Sequence, residues 1–156
     1  MNMKKLPIGV SDFKKIIEDD YYYVDKTLFI KEVIDSGDTI LVIPRPRRFG
    51  KTLNISMLRY FYDCCPVAWD NESQSHGNYK YLFDSLTISG TGQEYLDKMG
   101  QYPVIFFTFK NIKEKSWEAC RLKIKKLIQK EYARHNYLLA SPKLMDHERD
   151  YFQKII

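Results

Sequence analysis

The residues with chemistry to offer lie in one stretch, Arg45-Pro46-Arg47-Arg48-Phe49-Gly50-Lys51-Thr52. Its last three residues complete the pattern G-x-x-x-x-G-K-[ST]. In that pattern backbone N–H groups wrap an anion, a lysine meets the β/γ phosphates of a nucleotide, and a hydroxyl holds Mg²⁺ at the helix start. The first glycine is absent: Arg45 stands five positions before Gly50, between Pro44 and Pro46. Proline has no N–H to give, so this loop offers fewer main-chain donors than a glycine-rich one. Arginine side chains, suited to bidentate contact with phosphate, can make up the loss. The competing reading is a basic nucleic-acid-binding module, in which Arg45, Arg47, Arg48 and the lysines of 116–132 meet phosphates and Phe49 stacks on a base. It leaves the Gly-Lys-Thr at the mouth of a helix without a purpose.

Such a loop needs a buried strand before it and a helix after it. Thr39-Ile40-Leu41-Val42-Ile43 is a continuous β-branched run without alternation, as expected of a strand buried on both faces of a parallel sheet. Beyond the loop, Leu53, Met57, Leu58 and Phe61 recur at helical spacing. Tyr102–Phe109 predicts a second buried strand, with Pro103 tolerable near its start. Upstream, Ser11 is placed to cap a short helix over 12–18, and Asp25 to start a helix that ends at Gly37. Tyr21–Val24 has strand propensity, 64–77 reads as a long polar loop, and a short helix fits 93–99. In 116–132 a stripe of Trp117, Cys120, Ile124, Leu127 and Ile128 predicts a helix whose lysines form a solvated face, and 144–156 has helical character.

The remaining candidates are weaker. Cys64, Cys65 and Cys120 have neither metal-ligand nor disulfide-framework spacing, which suits a reducing compartment. The histidines are scattered with no H-x-x-x-H pair, so zinc is not expected. Asp19-Asp20 and Asp70-Asn71-Glu72 read as solvated carboxylates, and Asp25 as a helix cap. Over 156 residues the chain is 44% hydrophobic and 29% charged, with a net charge of +5. Its pI near 9.0 and mean hydropathy of −0.45 favour phosphate-bearing partners and argue against disorder. No apolar run approaches the ~18 residues of a membrane helix, and no secretory signal opens the chain. A cytoplasmic location without a membrane partner is therefore expected.

The string Arg45–Leu58, RPRRFGKTLNISML, resembles the signature RPRRFGK[ST]L of the AAA-ATPase-like family of bacterial P-loop proteins. Further segments agree in order: Pro7–Phe13, Tyr23–Thr27, Leu82–Ile88 and Tyr102–Ile105. The resemblance implies an ATP-binding α/β domain, a parallel sheet flanked by helices, with ATP and Mg²⁺ as cofactors. In longer members a domain resembling PD-(D/E)XK nucleases follows. It also implies that Lys51 contacts the β/γ phosphates, that Thr52 ligates Mg²⁺, and that Arg47, Arg48, Phe49 and Gly50 form the cradle. Two departures stand out. Ser85 replaces the glycine of Leu-Phe-Asp-Gly-Leu, and the apolar run ending in Asp-Glu that would hold Mg²⁺ and orient water is not found, because 103–109 ends in Phe109-Lys110-Asn111. The expectation is thus a domain that binds ATP without hydrolysing it, the N-terminal part of a larger protein whose other members are ATPases. Its segments would be 1–36, a helical lead-in; 37–63, strand, P-loop and helix; 64–101, a variable loop and short helix; and 102–156, the second core strand and C-terminal helices.

Overall fold

Asp12 opens the first element. It is the N-cap of α1 (Phe13–Glu18), and its side chain accepts from the Lys15 N–H at 3.2 Å, so the cap is Asp12 and not Ser11. The computed structural model describes residues 4–44, 46, 49–64 and 79–156. Five further α-helices follow: α2 (Leu28–Ser36), α3 (Lys51–Tyr62), α4 (Gln93–Leu96), α5 (Trp117–Arg134) and α6 (Asp146–Ile155). Short 3-10 turns occupy Lys80–Leu82, Thr87–Gly90 and Asn136–Ala140. Gly37 stops α2 in the left-handed conformation at φ 61°, where its lack of a Cβ is needed.

The chain divides into two units. The first comprises the described residues of 4–64 and 79–104, the second residues 105–156. The core of the first unit is aromatic. Phe13 stacks on Phe83 with ring centroids 5.1 Å apart, Phe61 meets Phe83 edge-on at 5.4 Å, and Tyr60 meets Tyr79 at 4.7 Å. Ile16, Ile30, Met57, Leu82 and Ile88 fill the space around these rings. Residues 100–102 run beside the end of α3, where Gly100 N–H donates to Phe61 O, Tyr102 N–H to Tyr62 O and Cys64 N–H to Tyr102 O.

The parallel sheet expected from the sequence is not the fold. Among the described residues there is no strand, only an isolated parallel bridge between Asp63 and Tyr102. The two runs taken for buried strands lie open: Ile40 is 81% exposed, Val42 76% and Ile105 67%. A β-branched run records a local preference, whereas a sheet requires a partner at each edge and helices over each face, which a run of five or eight residues cannot supply by itself. Tyr21–Val24 forms no strand either; it is held by a bond from Tyr22 N–H to Lys5 O.

In the second unit α5 is capped by Ser116, whose hydroxyl accepts from Ala119 N–H at 3.2 Å. Tyr132 of α5 packs on Phe152 of α6 with centroids 4.8 Å apart. The predicted apolar stripe of α5 is not a buried face, however. Trp117 is 67% exposed, and the buried residues of α5 are Glu131 and Arg134. Glu131 accepts from Phe106 N–H at 3.1 Å and lies 3.5 Å from His135 Nε2, so burial here is organised around a carboxylate.

Asp25 joins two distant stretches of the first unit. One carboxylate oxygen accepts from the N–H and hydroxyl of Thr27 at 2.8 and 2.7 Å. The other accepts from the N–H and hydroxyl of Thr87, both at 2.6 Å. The buried Thr27 hydroxyl in turn accepts from Ile88 N–H at 3.1 Å. Asp25 is therefore more than a helix cap: it pins the start of α2 to the 3-10 turn at Thr87–Gly90. Burial pushes its pKa up, but the four hydrogen bonds together hold it below the ordinary 3.8. A depressed carboxylate stabilises the fold fully above the unfolded value and ceases to do so as pH falls through the folded one. The stability gap between wild type and Asp25→Asn, measured by urea unfolding, should accordingly be constant near neutrality and shrink as pH drops below about 4.

Candidate functional site

Gly50 decides how α3 begins. It is the N-cap residue and sits at φ 75°, ψ 14°, in the left-handed region, and its carbonyl accepts from Asn54 N–H at 2.9 Å. A Cβ added there would meet nothing within 4 Å, so glycine is required for its backbone conformation and not for space. Lys51 and Thr52 are the first two residues of the helix, Lys51 half-buried and Thr52 exposed, and Phe49 just before them is 61% exposed. Arg45, Arg47 and Arg48 lie outside the described residues. The structure thus brings Phe49, Gly50, Lys51 and Thr52 to one helix mouth.

The first turn of α3 carries no acidic residue and no side-chain cap. Its leading N–H groups have no intrahelical acceptor, and the aligned peptide dipoles leave this end positive. An anion is the complement of such an end, with a cationic side chain and a hydroxyl already beside it.

The far side of α3 is clamped to α1. The Asp12 carboxylate accepts from Arg59 Nη2 at 2.7 Å, from Tyr60 OH at 3.0 Å and from Ser56 Oγ at 3.4 Å, while Ser56 Oγ accepts from Phe13 N–H at 3.0 Å. Asn54, Ser56, Met57, Tyr60 and Phe61 are buried, while Thr52 and Ile55 are exposed. Burial raises the Tyr60 phenol well above its ordinary value, Arg59 partly opposing and Asp12 reinforcing the shift. Sequence reasoning missed Asp12 and its three partners on α3. The one local signal was an aspartate three residues before Lys15; the rest of the contact spans more than forty residues and has no pattern along the chain.

Two hollows are lined by other residues. One of about 340 Å³ in the first unit is lined by Lys80, Phe83, Gln93 and Met99, among others, and one of about 420 Å³ in the second by Tyr132, His147, Tyr151 and Phe152, among others. Among the described residues no group of three or more His, Cys, Asp or Glu could hold a metal ion, and no helix is long and apolar enough to cross a membrane.

The family description "Predicted AAA-ATPase" matches residues 7–155. The chain belongs to the AAA-ATPase-like family. Over 59 residues it is 56% identical to an uncharacterized protein in the vnfD 5′ region of Azotobacter chroococcum mcd 1. The matched stretch is 37% of this chain and 11% of that relative, so the chain corresponds to a small part of the relative's length. No solved structure matches significantly.

Two substitutions separate the roles of this helix. Gly50→Ala should destabilise by about 1–2 kcal/mol, the cost of a left-handed L-residue, without creating a clash. Asp12→Ala removes a cap and the bonds from Arg59, Tyr60 and Ser56, and should cost about 2–3 kcal/mol in urea unfolding.

Proposed function

We propose that this AAA-ATPase-like domain binds ATP with Mg²⁺ at the mouth of α3. The supporting observation is Gly50 in the left-handed conformation, leading directly into a twelve-residue helix that opens Lys51-Thr52 with no carboxylate in its first turn. Those groups fit a triphosphate: the leading N–H groups have no intrahelical acceptor, a lysine stands at the first helical position, and a hydroxyl at the second.

In this reading Lys51 neutralises the β/γ phosphates, and the first-turn N–H groups orient them. The Thr52 hydroxyl holds Mg²⁺, which spreads the phosphate charge when bound. Arg47 and Arg48 add the donors that Pro44 and Pro46 withhold, and Phe49 completes the cradle. No hydrolytic step is assigned to these residues. The run 103–109 ends in Lys110 where a carboxylate would be needed to hold the metal and orient water.

The loop-centred nucleic-acid reading is less economical. An extended arginine-rich contact does not require a left-handed glycine followed by Lys-Thr at a helix start.

Lys51→Ala should weaken Mg-ATP binding by roughly ten- to a hundredfold, the range expected for loss of a hydrogen bond to a charged group. The circular dichroism spectrum should not change. Thr52→Ala should leave ATP affinity insensitive to Mg²⁺. Unchanged affinity of the Lys51→Ala protein in titration calorimetry would falsify the assignment.

A further inference from the structure

Charge is distributed very unevenly along this chain. Residues 110–130 hold eight Lys and Arg against two Glu, while the remaining residues hold seventeen cations against eighteen carboxylates. The entire net charge of +5 therefore originates in α5 and its lead-in. In the first unit Lys4 pairs with Asp20, Lys31 with Asp35 and Arg59 with Asp12. In 110–130, among the described residues, Lys123 is paired with Glu114, whereas Arg121, Lys125, Lys126 and Lys130 are exposed and form no ion pair.

Two of these cations, Arg121 and Lys125, share a face with an exposed indole. Trp117, Arg121, Lys125 and Ile128 fall within an arc of about 100° along about 16 Å of helix. Trp117 is 67% exposed and Ile128 37%. Lys126 and Lys130 extend the positive field around the helix. A bilayer-seated helix segregates an apolar face from its cations. Here Arg121 and Lys125 sit between Trp117 and Ile128, so insertion of the indole would drag both charges into the acyl region. Alternation of a flat aromatic platform with cations instead suits a strand of bases joined by phosphates.

We propose that α5 is a binding surface for single-stranded nucleic acid, with Trp117 stacking on a base and Arg121, Lys125 and Lys126 neutralising the flanking phosphates. This surface lies wholly within the second unit and does not depend on the nucleotide reading of α3.

The test is fluorescence anisotropy with a labelled oligothymidylate of about sixteen nucleotides, between about 50 and 200 mM salt. Binding should weaken steeply with salt. Arg121→Ala/Lys125→Ala/Lys126→Ala should lower the slope of log affinity against log salt by roughly 2, at about 0.7 for each phosphate no longer neutralised. The Arg121→Lys/Lys125→Arg/Lys126→Arg protein should keep the wild-type slope. Trp117→Ala should cost between about fivefold and a hundredfold in affinity with little change of slope, and Trp117 fluorescence should be quenched on binding. Lys51→Ala should bind the oligonucleotide like wild type, and excess Mg-ATP should not displace it, which separates this surface from the mouth of α3. No binding at the lower salt, an unaltered slope in the triple variant, displacement by ATP, or equal capture by phosphatidylserine vesicles would each overturn the proposal.

Discussion

The carboxylate of Asp12 serves two helices at once, and the placement of the candidate site depends on it. As the cap of α1 it satisfies a free N–H; as the acceptor for Ser56, Arg59 and Tyr60 it fixes the rotation of α3 about its own axis. With that rotation set, Met57 and Phe61 must enter the aromatic core beside Phe13 and Phe83, and Thr52 is left exposed at the start of α3. A charge-assisted contact of this kind specifies geometry more than it adds stability, because Arg59 and Asp12 were well hydrated before they met. Asp25 repeats the device on the other side of the unit, bridging Thr27 and Thr87. Both aspartates belong to segments whose order along the chain follows the family pattern. The structure gives those segments a shared physical role as fasteners around the helix that starts at Lys51.

The two units are built on different principles. In the first, hydrophobic side chains are withdrawn from water around phenyl rings, and polar groups act as clasps at the margin. In the second, the buried residues of 105–156 are not hydrophobic but Glu131, Arg134 and His135. Burial of that polar group is tolerable because its members meet one another and the Phe106 N–H. Its surface accordingly keeps its aromatic and aliphatic groups beside lysines and does not collect them into a core.

Much of the helical content was legible in the sequence, and the sheet was not. The helix after the loop shows in Leu53, Met57 and Phe61 because a 3.6-residue repeat is a local property, and Gly37 marks the end of α2 because a left-handed stop favours glycine. The runs 39–43 and 103–109 mislead for the opposite reason. Apolar, β-branched composition expresses what a segment would do if neighbours covered both its faces, and it holds no information about whether they do. The α5 stripe fails in the same way, since helical periodicity shows which side chains share a face but not what that face meets. At the site, Gly50-Lys51-Thr52 could be found by spacing alone. The partners of Asp12 and Asp25 could not, because a hydrogen bond between residues forty or sixty positions apart leaves no periodic trace.

Seven aliphatic and aromatic groups that a sheet would have hidden, Ile40, Leu41, Val42, Tyr102, Ile105, Phe107 and Phe109, are exposed, in stretches free of any charge from 39 to 44 and from 101 to 109. Uncharged runs of this composition adhere to their own kind when molecules collide. What keeps copies apart is mutual repulsion from the excess of cations, and that excess vanishes near pH 9.0. The colloidal behaviour of the protein is thereby tied to α5: the helix that carries the surplus charge is also the one whose neutralisation by a polyanion would let the sticky stretches of neighbouring molecules touch.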